Sequence, residues 1–218
     1  MSSELLAYGQ FAQDYFVNKL LDKDDGFFVD IGCGVSTLNV YEVGISAMSN
    51  TFLLEQNRNW KGIAIDYDAA YCHEAKKIRN SVVYADLMEQ NINHILEANN
   101  CPAVCDYLSL DVDQAQRKVF DELDFEKYKF RIITYEHNFS TEGDPNFNGM
   151  YDGDREYSRK KFKELGYHIL FGNVGLTTEE RIEDWYVDSE LYRKYKYLQK
   201  DETNIRDIII QLEVELNK

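Results

Sequence analysis

Short apolar runs alternate with amphipathic segments along most of this chain. Runs rich in β-branched and aromatic residues predict five buried strands, at 27–31, 63–65, 82–85, 107–110 and 130–135. Between them, apolar residues recur at helical spacing, which predicts helices at 48–57, 69–79, 89–99 and about 114–122. This alternation predicts an α/β fold with a mostly parallel sheet and helices on both faces.

Further elements flank this alternating region. Apolar spacing predicts a helix before it, at 4–21, and helices after it, at 154–165, 189–199 and 203–216. Two short runs, 167–171 and 185–187, predict strands that pair antiparallel at the sheet edge. The apolar stripe of the last helix is typical of docking on the domain, and a homodimer contact is the alternative. We expect one domain over 1–218, with an N-terminal helix in 1–25, a sheet core in 26–187 and C-terminal helices in 188–218.

Two segments between the predicted elements lack clear periodicity. Residues 35–45 form a loop over the end of the first strand in the simplest interpretation. Residues 139–153 are rich in Gly, Asn, Asp and Pro, which favour turns. Because a loop of that length is unusual in a compact domain, we expect it to be a lid or a binding loop.

The amino-acid composition restricts the kinds of partner that this protein is expected to bind. With 24 basic and 39 acidic residues the net charge is −15, which argues against nucleic acid or an anionic membrane as the main partner. No apolar run approaches the roughly 20 residues of a membrane-spanning helix. The N-terminus lacks the basic start and apolar core of a signal peptide, so the four cysteines are expected to be reduced thiols in a cytoplasmic protein.

Acidic residues stand where the predicted strands end. Because ligands of doubly wound sheets bind beyond the carboxyl ends of the strands, these side chains should converge on one cleft: Asp30, Asp66, Asp86, Asp111 and Glu136, with His137 beside the last. Gly32 and Gly34 would let the turn after the first strand approach a ligand closely. For Asp86 and Asp111 taken alone, capping of the next helix is an equally good interpretation.

The order of these groups suits a nucleoside with a charged tail. Asp66 would accept the two ribose hydroxyls, Asp86 an adenine amino group, and the turn at Gly32–Gly34 would approach the tail. In a dinucleotide-binding fold the ribose carboxylate comes roughly 20 residues after the glycines, and Asp66 comes much later. S-adenosylmethionine is therefore favoured over NAD, which stays as a weaker alternative.

Several segments resemble, in order, the motifs of FkbM-type methyltransferases. They are 26–32 (GFFVDIG), 49–55 (SNTFLLE), 60–66 (WKGIAID), 106–113 (DYLSLDVD) and 132–138 (IITYEHN), with a Gln10–Asp14 stretch before them and 183–187 (EDWYV) after them. The resemblance implies a Rossmann-like class I methyltransferase fold and S-adenosylmethionine-dependent O-methylation of a sugar, glycan or other small molecule. It also implies cofactor contacts from Ser49, Asn50, Tyr67 and Leu87, and acceptor contacts from Gln10, Asp14, Asp113 and Asn138.

Three departures from the family pattern matter. The loop between Gly34 and Ser49 is longer, and the acid after the second strand is Asp66 rather than Glu. The family's Asp-x-Glu-Gly-x-Glu segment is here 111–116, with the sequence DVDQAQ. A non-catalytic binding or assembly module is therefore the alternative hypothesis.

Methylation of a hydroxyl requires a group that accepts its proton. We expect His137 to be the base, since histidine titrates near neutrality, with Glu136 or Asp111 orienting its ring or acting directly. A structural hydrogen bond at the strand end is the alternative for His137.

Two metal hypotheses are weaker. Asp111, Asp113 and Glu136 would suit Mg²⁺, although clustered carboxylates also act without metal. Zinc at the Cys72–His73 pair with Cys101 and Cys105 has no recognised spacing. No metal is therefore expected.

The predicted helix over 154–165 carries basic residues along one face. They are Arg155, Arg159, Lys160, Lys161 and Lys163. Such a face is usually solvated surface, and attraction of an anionic sugar or phosphate to the neighbouring loop is the alternative.

Overall fold

The computed structural model describes residues 7–34, 48–177 and 179–216 of the chain. Its helices are α1 (Gln13–Leu21), α2 (Phe52–Asn57), α3 (Ala69–Ala75), α4 (Ile92–Ala98), α5 (Gln116–Glu122), α6 (Asp154–Glu164), α7 (Ser189–Tyr195) and α8 (Ile205–Leu216). Its strands are β1 (Phe27–Ile31), β2 (Lys61–Asp66), β3 (Val82–Tyr84), β4 (Val104–Leu110), β5 (Lys129–Glu136), β6 (His168–Val174) and β7 (Glu183–Val187). The loop predicted over 35–45 lies outside the described residues.

The seven strands form one sheet in the order β3-β2-β1-β4-β5-β7-β6. The first five strands of this order are parallel, and β7 runs antiparallel between β5 and β6. In the centre, Val29 of β1 lies opposite Ile63 of β2 and Leu108 of β4. This arrangement confirms the predicted Rossmann-like fold with an antiparallel pair at one edge.

Apolar residues cover both faces of the sheet. One core joins the sheet to α1, α7 and α8, where Phe16 stacks on Trp185 with ring centroids 4.5 Å apart. The other joins it to α4, α5 and α6, where Phe120 and Phe162 lie 4.6 Å apart. Strands covered on both faces need continuous apolar runs rather than alternation, which is the pattern of β1, β2, β4 and β5.

The last helix docks on the domain, as its apolar stripe predicts. Ile208 and Leu212 are completely buried in the first core, and Ile205 is nearly so. Ile210 and Val214 on the opposite side are more than half exposed.

Helix limits depend on local caps more than on apolar spacing. Asp68 accepts hydrogen bonds from the backbone N–H groups of Ala70 and Tyr71, so α3 begins at residue 69 as predicted, but it ends four residues early. Asn91 caps α4 through the N–H of Asn93. In the described part of the chain, no helix has both the length and the apolar character needed to cross a membrane.

Candidate functional site

The carboxyl ends of the parallel strands lie side by side at one edge of the sheet. Ile31, the last residue of β1, pairs with Ile65 on one side and Leu110 on the other, and Leu110 pairs with Tyr135. The residues that follow these positions therefore emerge together, as the sequence predicts: Gly32, Asp66, Asp111 and Glu136, with Asp86 after the neighbouring strand β3.

The turn after β1 is packed tightly between two of these strand ends. Gly32 has a φ of +85°, and a Cβ atom there would lie 1.6 Å from the carbonyl oxygen of Asp111. Gly34 donates its N–H to Oδ2 of Asp66 at 3.0 Å, and a Cβ there would lie 2.7 Å from the ring of Tyr71. Both positions therefore need glycine, because the backbone approaches β2 and β4 too closely for a side chain.

The acids after β2 and β3 each organise a short turn. Oδ1 of Asp66 accepts the N–H of Asp68 at 2.8 Å, and burial raises the pKa of this carboxyl. Tyr67 beside it is 75% exposed. Oδ1 of Asp86 accepts the N–H of Met88 at 2.9 Å, while Leu87 is buried.

The helix-capping interpretation of Asp86 and Asp111 is wrong. Asn91 caps α4, and α5 together with the 3₁₀ turn before it has no side-chain cap. Both acids are therefore available for other roles at the sheet edge.

A buried polar network lies beneath the glycine turn. Asp30 is completely buried, and its Oδ2 accepts a hydrogen bond from Thr51 Oγ1. Arg79 donates to Thr51 Oγ1 at 2.8 Å, to Ser49 Oγ at 3.2 Å and to Glu55 Oε2 at 2.8 Å. Burial raises the pKa of Asp30 to about 6.

One amide oxygen near this network is buried without a hydrogen-bond partner among the described residues. It is Oδ1 of Asn50, whose Nδ2 donates to Ser109 Oγ at 3.0 Å. Buried acceptors normally find donors, so this oxygen fits a ligand that brings an N–H or ammonium group. The donor set of this edge therefore fits S-adenosylmethionine, which carries an amino-acid ammonium, ribose hydroxyls and an adenine amino group.

Carboxyl groups gather where β4 and β5 end and where the antiparallel strand β7 begins. The side chains of Asp111 and Glu136 hydrogen-bond each other. Burial, followed by the charge of Asp111, raises the pKa of Glu136 well above its ordinary value, and burial also raises the pKa of Asp111. A hydrogen-bonded pair of this kind shares one proton, and we call Asp111 and Glu136 the carboxyl pair.

Sequence reasoning missed a third carboxyl beside this pair. Glu183 lies directly opposite Glu136 across the β5–β7 ladder, so both side chains project from the same face. It is buried and accepts a hydrogen bond from Nε2 of Gln13 at 2.9 Å, and burial raises its pKa to about 8. The available signal was a pair of acids, Glu183 and Asp184, before the apolar run 185–187, at a strand start rather than a strand end.

The segment 139–153 contributes a tyrosine to this region. Tyr151 is buried, and its hydroxyl donates to Oδ1 of Asp113 at 2.6 Å. Its side chain also hydrogen-bonds that of Asn138, and the negative charge of Glu136 acts on it. Asp113 and Asn138, both predicted acceptor contacts, therefore lie with Tyr151 next to the carboxyl pair.

His137 is not open to a substrate. It is completely buried, its Nδ1 accepts the N–H of Phe139 at 3.2 Å, and its Nε2 faces Oδ1 of Asp184 at 3.4 Å. Burial tends to raise the pKa of Asp184, but hydrogen bonds from Arg159 and His137 hold it well below the usual range. This environment corresponds to the structural alternative for His137.

Two predicted acceptor residues, Gln10 and Asp14, lie at the N-terminal end of α1. Asp14 is completely buried, and it accepts the N–H groups of Tyr8 at 2.7 Å and of Tyr15 at 2.9 Å. Burial raises its pKa to about 7. Gln10 is exposed. Gln13, one residue before Asp14, is the side chain that reaches the carboxyl region through Glu183.

Arginines of the basic face on α6 turn toward the protein. Arg159 binds both oxygens of Asp184, at 2.6 and 2.8 Å, and Arg155 lies 3.3 Å above the ring of Phe139. The prediction of a fully solvated face is therefore wrong for these two residues, while Lys160, Lys161 and Lys163 are exposed.

Neither metal hypothesis gains support. Within residues 7–34, 48–177 and 179–216, no group of three or more His, Cys, Asp or Glu side chains has the geometry to hold a metal ion. The four cysteines are free thiols.

Comparison with known proteins assigns the family. A family model described as the methyltransferase FkbM domain matches residues 21–169. Solved structures with a similar fold include an S-adenosylmethionine-dependent methyltransferase from Aquifex aeolicus, with 12% identity, 80% of this chain and 88% of that chain covered, and a TM-score of 0.46. Another is the precorrin-6y C5,15-methyltransferase from Geobacter metallireducens, with 13% identity, 86% and 91% covered, and a TM-score of 0.44. A search of curated proteins gives no match. On the family match, which spans more than half of the sequence, the chain belongs to the FkbM methyltransferase family and is an S-adenosylmethionine-dependent methyltransferase.

Proposed function

We propose that this methyltransferase methylates a hydroxyl group of a neutral or amino-bearing sugar, glycan or similar small molecule. The observation that carries the proposal is the carboxyl pair, Asp111 and Glu136, whose pKa values are raised and which lies against the glycine turn through the contact of Gly32 with Asp111. An alcohol is a weak nucleophile until its proton is accepted, and a carboxylate with a raised pKa is a suitable acceptor.

The cofactor residues follow from the strand ends. Asp66 would accept the ribose hydroxyls, Asp86 would accept from the adenine amino group, and the unpartnered Oδ1 of Asn50 would accept from the ammonium of the amino-acid tail. Tyr67 and Leu87 border the nucleoside. S-adenosylmethionine supplies an electrophilic methyl group.

The remaining chemistry falls to the protein. Glu136 accepts the hydroxyl proton, and Asp111 holds Glu136 through their shared hydrogen bond. Asp113, Asn138 and Tyr151 offer oxygen and amide groups that orient further hydroxyls of the acceptor. Alignment of the nucleophile supplies much of the rate in such a displacement.

Local charge restricts the class of acceptor. Burial and neighbouring carboxyl groups raise the pKa values of Asp111, Glu136 and Glu183. An anionic acceptor such as a uronic acid or a sugar phosphate would meet like charge here, so neutral and aminated sugars are favoured.

The test is methyl transfer from labelled S-adenosylmethionine to a panel of neutral, aminated and acidic sugars. We expect product with neutral or aminated acceptors and little with acidic ones. Glu136→Gln is expected to lower kcat by about 10² to 10⁴, the usual contribution of a general base. The control Glu126→Gln changes an exposed acid on the turn before β5 and is expected to leave kcat unchanged.

Cofactor binding is tested separately by calorimetry. Asp66→Ala is expected to weaken S-adenosylmethionine at least tenfold, because it removes the acceptor for two hydroxyls. Tight binding of S-adenosylmethionine by a wild-type protein that methylates no acceptor in the panel would instead favour the non-catalytic alternative. The reason for that alternative is the altered segment 111–116. Binding of NAD with no binding of S-adenosylmethionine would contradict the cofactor assignment in this chain.

A further inference from the structure

Two thiols lie together at the sheet edge opposite the methyl-transfer site. Cys101 is in the loop between α4 and β4, and Cys105 is the second residue of β4. Their Sγ atoms are 3.6 Å apart and share a hydrogen bond. Because Asp111 follows the other end of β4, the methyl-transfer residues do not include this pair.

The segment that carries the pair is anchored on both sides. The N–H of Cys101 donates to the carbonyl of Leu96 at 2.9 Å, and Cys105 pairs with Phe130 in the sheet. Both sulfur atoms face the carbonyl oxygen of Pro102, at 3.6 and 3.5 Å. A disulfide requires about 2.05 Å between sulfurs, so side-chain rotation within this anchored segment has to close only about 1.5 Å.

The two thiols differ in access and in proton affinity. Cys101 is partly exposed, whereas Cys105 is buried. The hydrogen bond from Cys105 lowers the pKa of Cys101, and Lys127 acts in the same direction. The same hydrogen bond and burial raise the pKa of Cys105. The accessible sulfur is therefore the one that ionises first, which is the arrangement of an attacking and a resolving thiol.

From the distance between the two sulfurs and their unequal exposure, we propose that Cys101 and Cys105 form a redox-active dithiol that small-molecule disulfides oxidise. The Cys101 thiolate attacks one sulfur of the oxidant, forming a mixed disulfide and releasing one thiolate. Cys105 then gives up its proton to solvent and attacks Sγ of Cys101, which expels the second thiol of the oxidant. The oxidant gains two electrons and two protons overall, and the protein gains one disulfide.

The other two cysteines serve as internal controls. Cys33 and Cys72 are both buried, and burial raises the pKa of each. We expect the Cys101 thiol to react with an aromatic disulfide reagent at least about tenfold faster than either of them, since reactivity follows access and the thiolate fraction.

Mass spectrometry of the intact protein after incubation with glutathione disulfide tests the mechanism. The wild-type chain should lose two hydrogens and retain no glutathione, with a peptide crosslink between 101 and 105. Cys105→Ser should retain one glutathionyl group on Cys101, because no resolving thiol is present. Cys101→Ser should remain unmodified in the same interval.

Each alternative outcome overturns the proposal. A glutathionyl group on Cys33 or Cys72, an adduct-free Cys105→Ser protein, or a wild-type chain that stays fully reduced would each contradict the pairing. Thermal unfolding of both serine variants checks that they are folded, and a thiol count in denaturant checks that three cysteines remain in each. Methyl transfer by reduced Cys101→Ser should match wild type, because the pair lies away from the site.

Discussion

Replacing Glu183 by glutamine tests the electrostatics of the carboxyl region through stability. The carboxyl is buried, and burial raises its pKa from 4.5 to about 8. Between these values the folded chain keeps a proton that the unfolded chain has released. Folding therefore takes up a proton in this range, and the free energy of unfolding falls as pH rises from about 4.5 to 8.

The magnitude follows from the size of the shift. Each pKa unit corresponds to about 1.4 kcal/mol, so the shift of Glu183 lowers stability by roughly 5 kcal/mol above pH 8. Glu183→Gln keeps the shape and an acceptor for Nε2 of Gln13 but cannot ionise. Its unfolding free energy relative to wild type should therefore rise by roughly 4 kcal/mol between pH 5 and pH 8.

Urea unfolding of the cofactor-free protein at half-unit steps of pH measures this difference. Asp14 and Asp30, whose pKa values are raised to about 7 and about 6, give the wild type further pH dependence, but they remain in both proteins and cancel in the comparison. Exposed Glu126→Gln should run parallel to wild type. Parallel curves for Glu183→Gln and wild type would refute the assignment of a raised pKa to Glu183.

Three further predictions concern the turn, the loop and the histidine. Gly32→Ala should lower the free energy of unfolding in urea by at least about 3 kcal/mol, because its Cβ would meet the Asp111 carbonyl. Gly143→Ala, with φ +75° and no heavy atom near its Cβ position, should lower it by only about 1 kcal/mol. Equal losses would contradict the close approach at Gly32. Tyr151→Phe should lower the local stability of segment 139–153 by about 1 kcal/mol, because it removes the hydrogen bond to Asp113, and amide hydrogen exchange in the segment should become faster. Unchanged exchange would mean that this hydrogen bond does not stabilise the segment. His137→Gln should lower stability by about 2 kcal/mol while single-turnover methyl transfer stays within about threefold of wild type; a loss of 10² or more with normal folding would restore His137 as the base.

The sequence was sufficient for the sheet and for the edge at which the site lies. Five parallel strands follow from the apolar runs, and four of these runs stop at or just before a carboxylate, as at Ile65 before Asp66. Such local patterns are decided by neighbouring residues in the chain.

The roles of individual side chains were harder to predict because they depend on contacts between distant segments. His137 is in the right place on the chain, but Asp184 on β7 and the bend at Phe139 enclose its ring. Asp30 lies near the carboxyl end of β1, as predicted. Its side chain, however, is buried beneath the turn, where it binds Thr51, which in turn binds Arg79. Glu183 joined the carboxyl region only because β7 inserts between β5 and β6, and no local pattern encodes that insertion.

The central claim is that the carboxyl pair accepts the proton of a hydroxyl during methyl transfer. The most direct measurement is the rate of a single turnover, with S-adenosylmethionine bound in advance and a methylated hydroxyl acceptor identified from the panel, for wild type and Glu136→Gln across pH. The account predicts that Glu136→Gln binds the cofactor with wild-type affinity, transfers methyl at least about 100-fold more slowly, and loses the rise of rate with pH that the wild type shows. An equal rate and the same pH profile in the two proteins would contradict it.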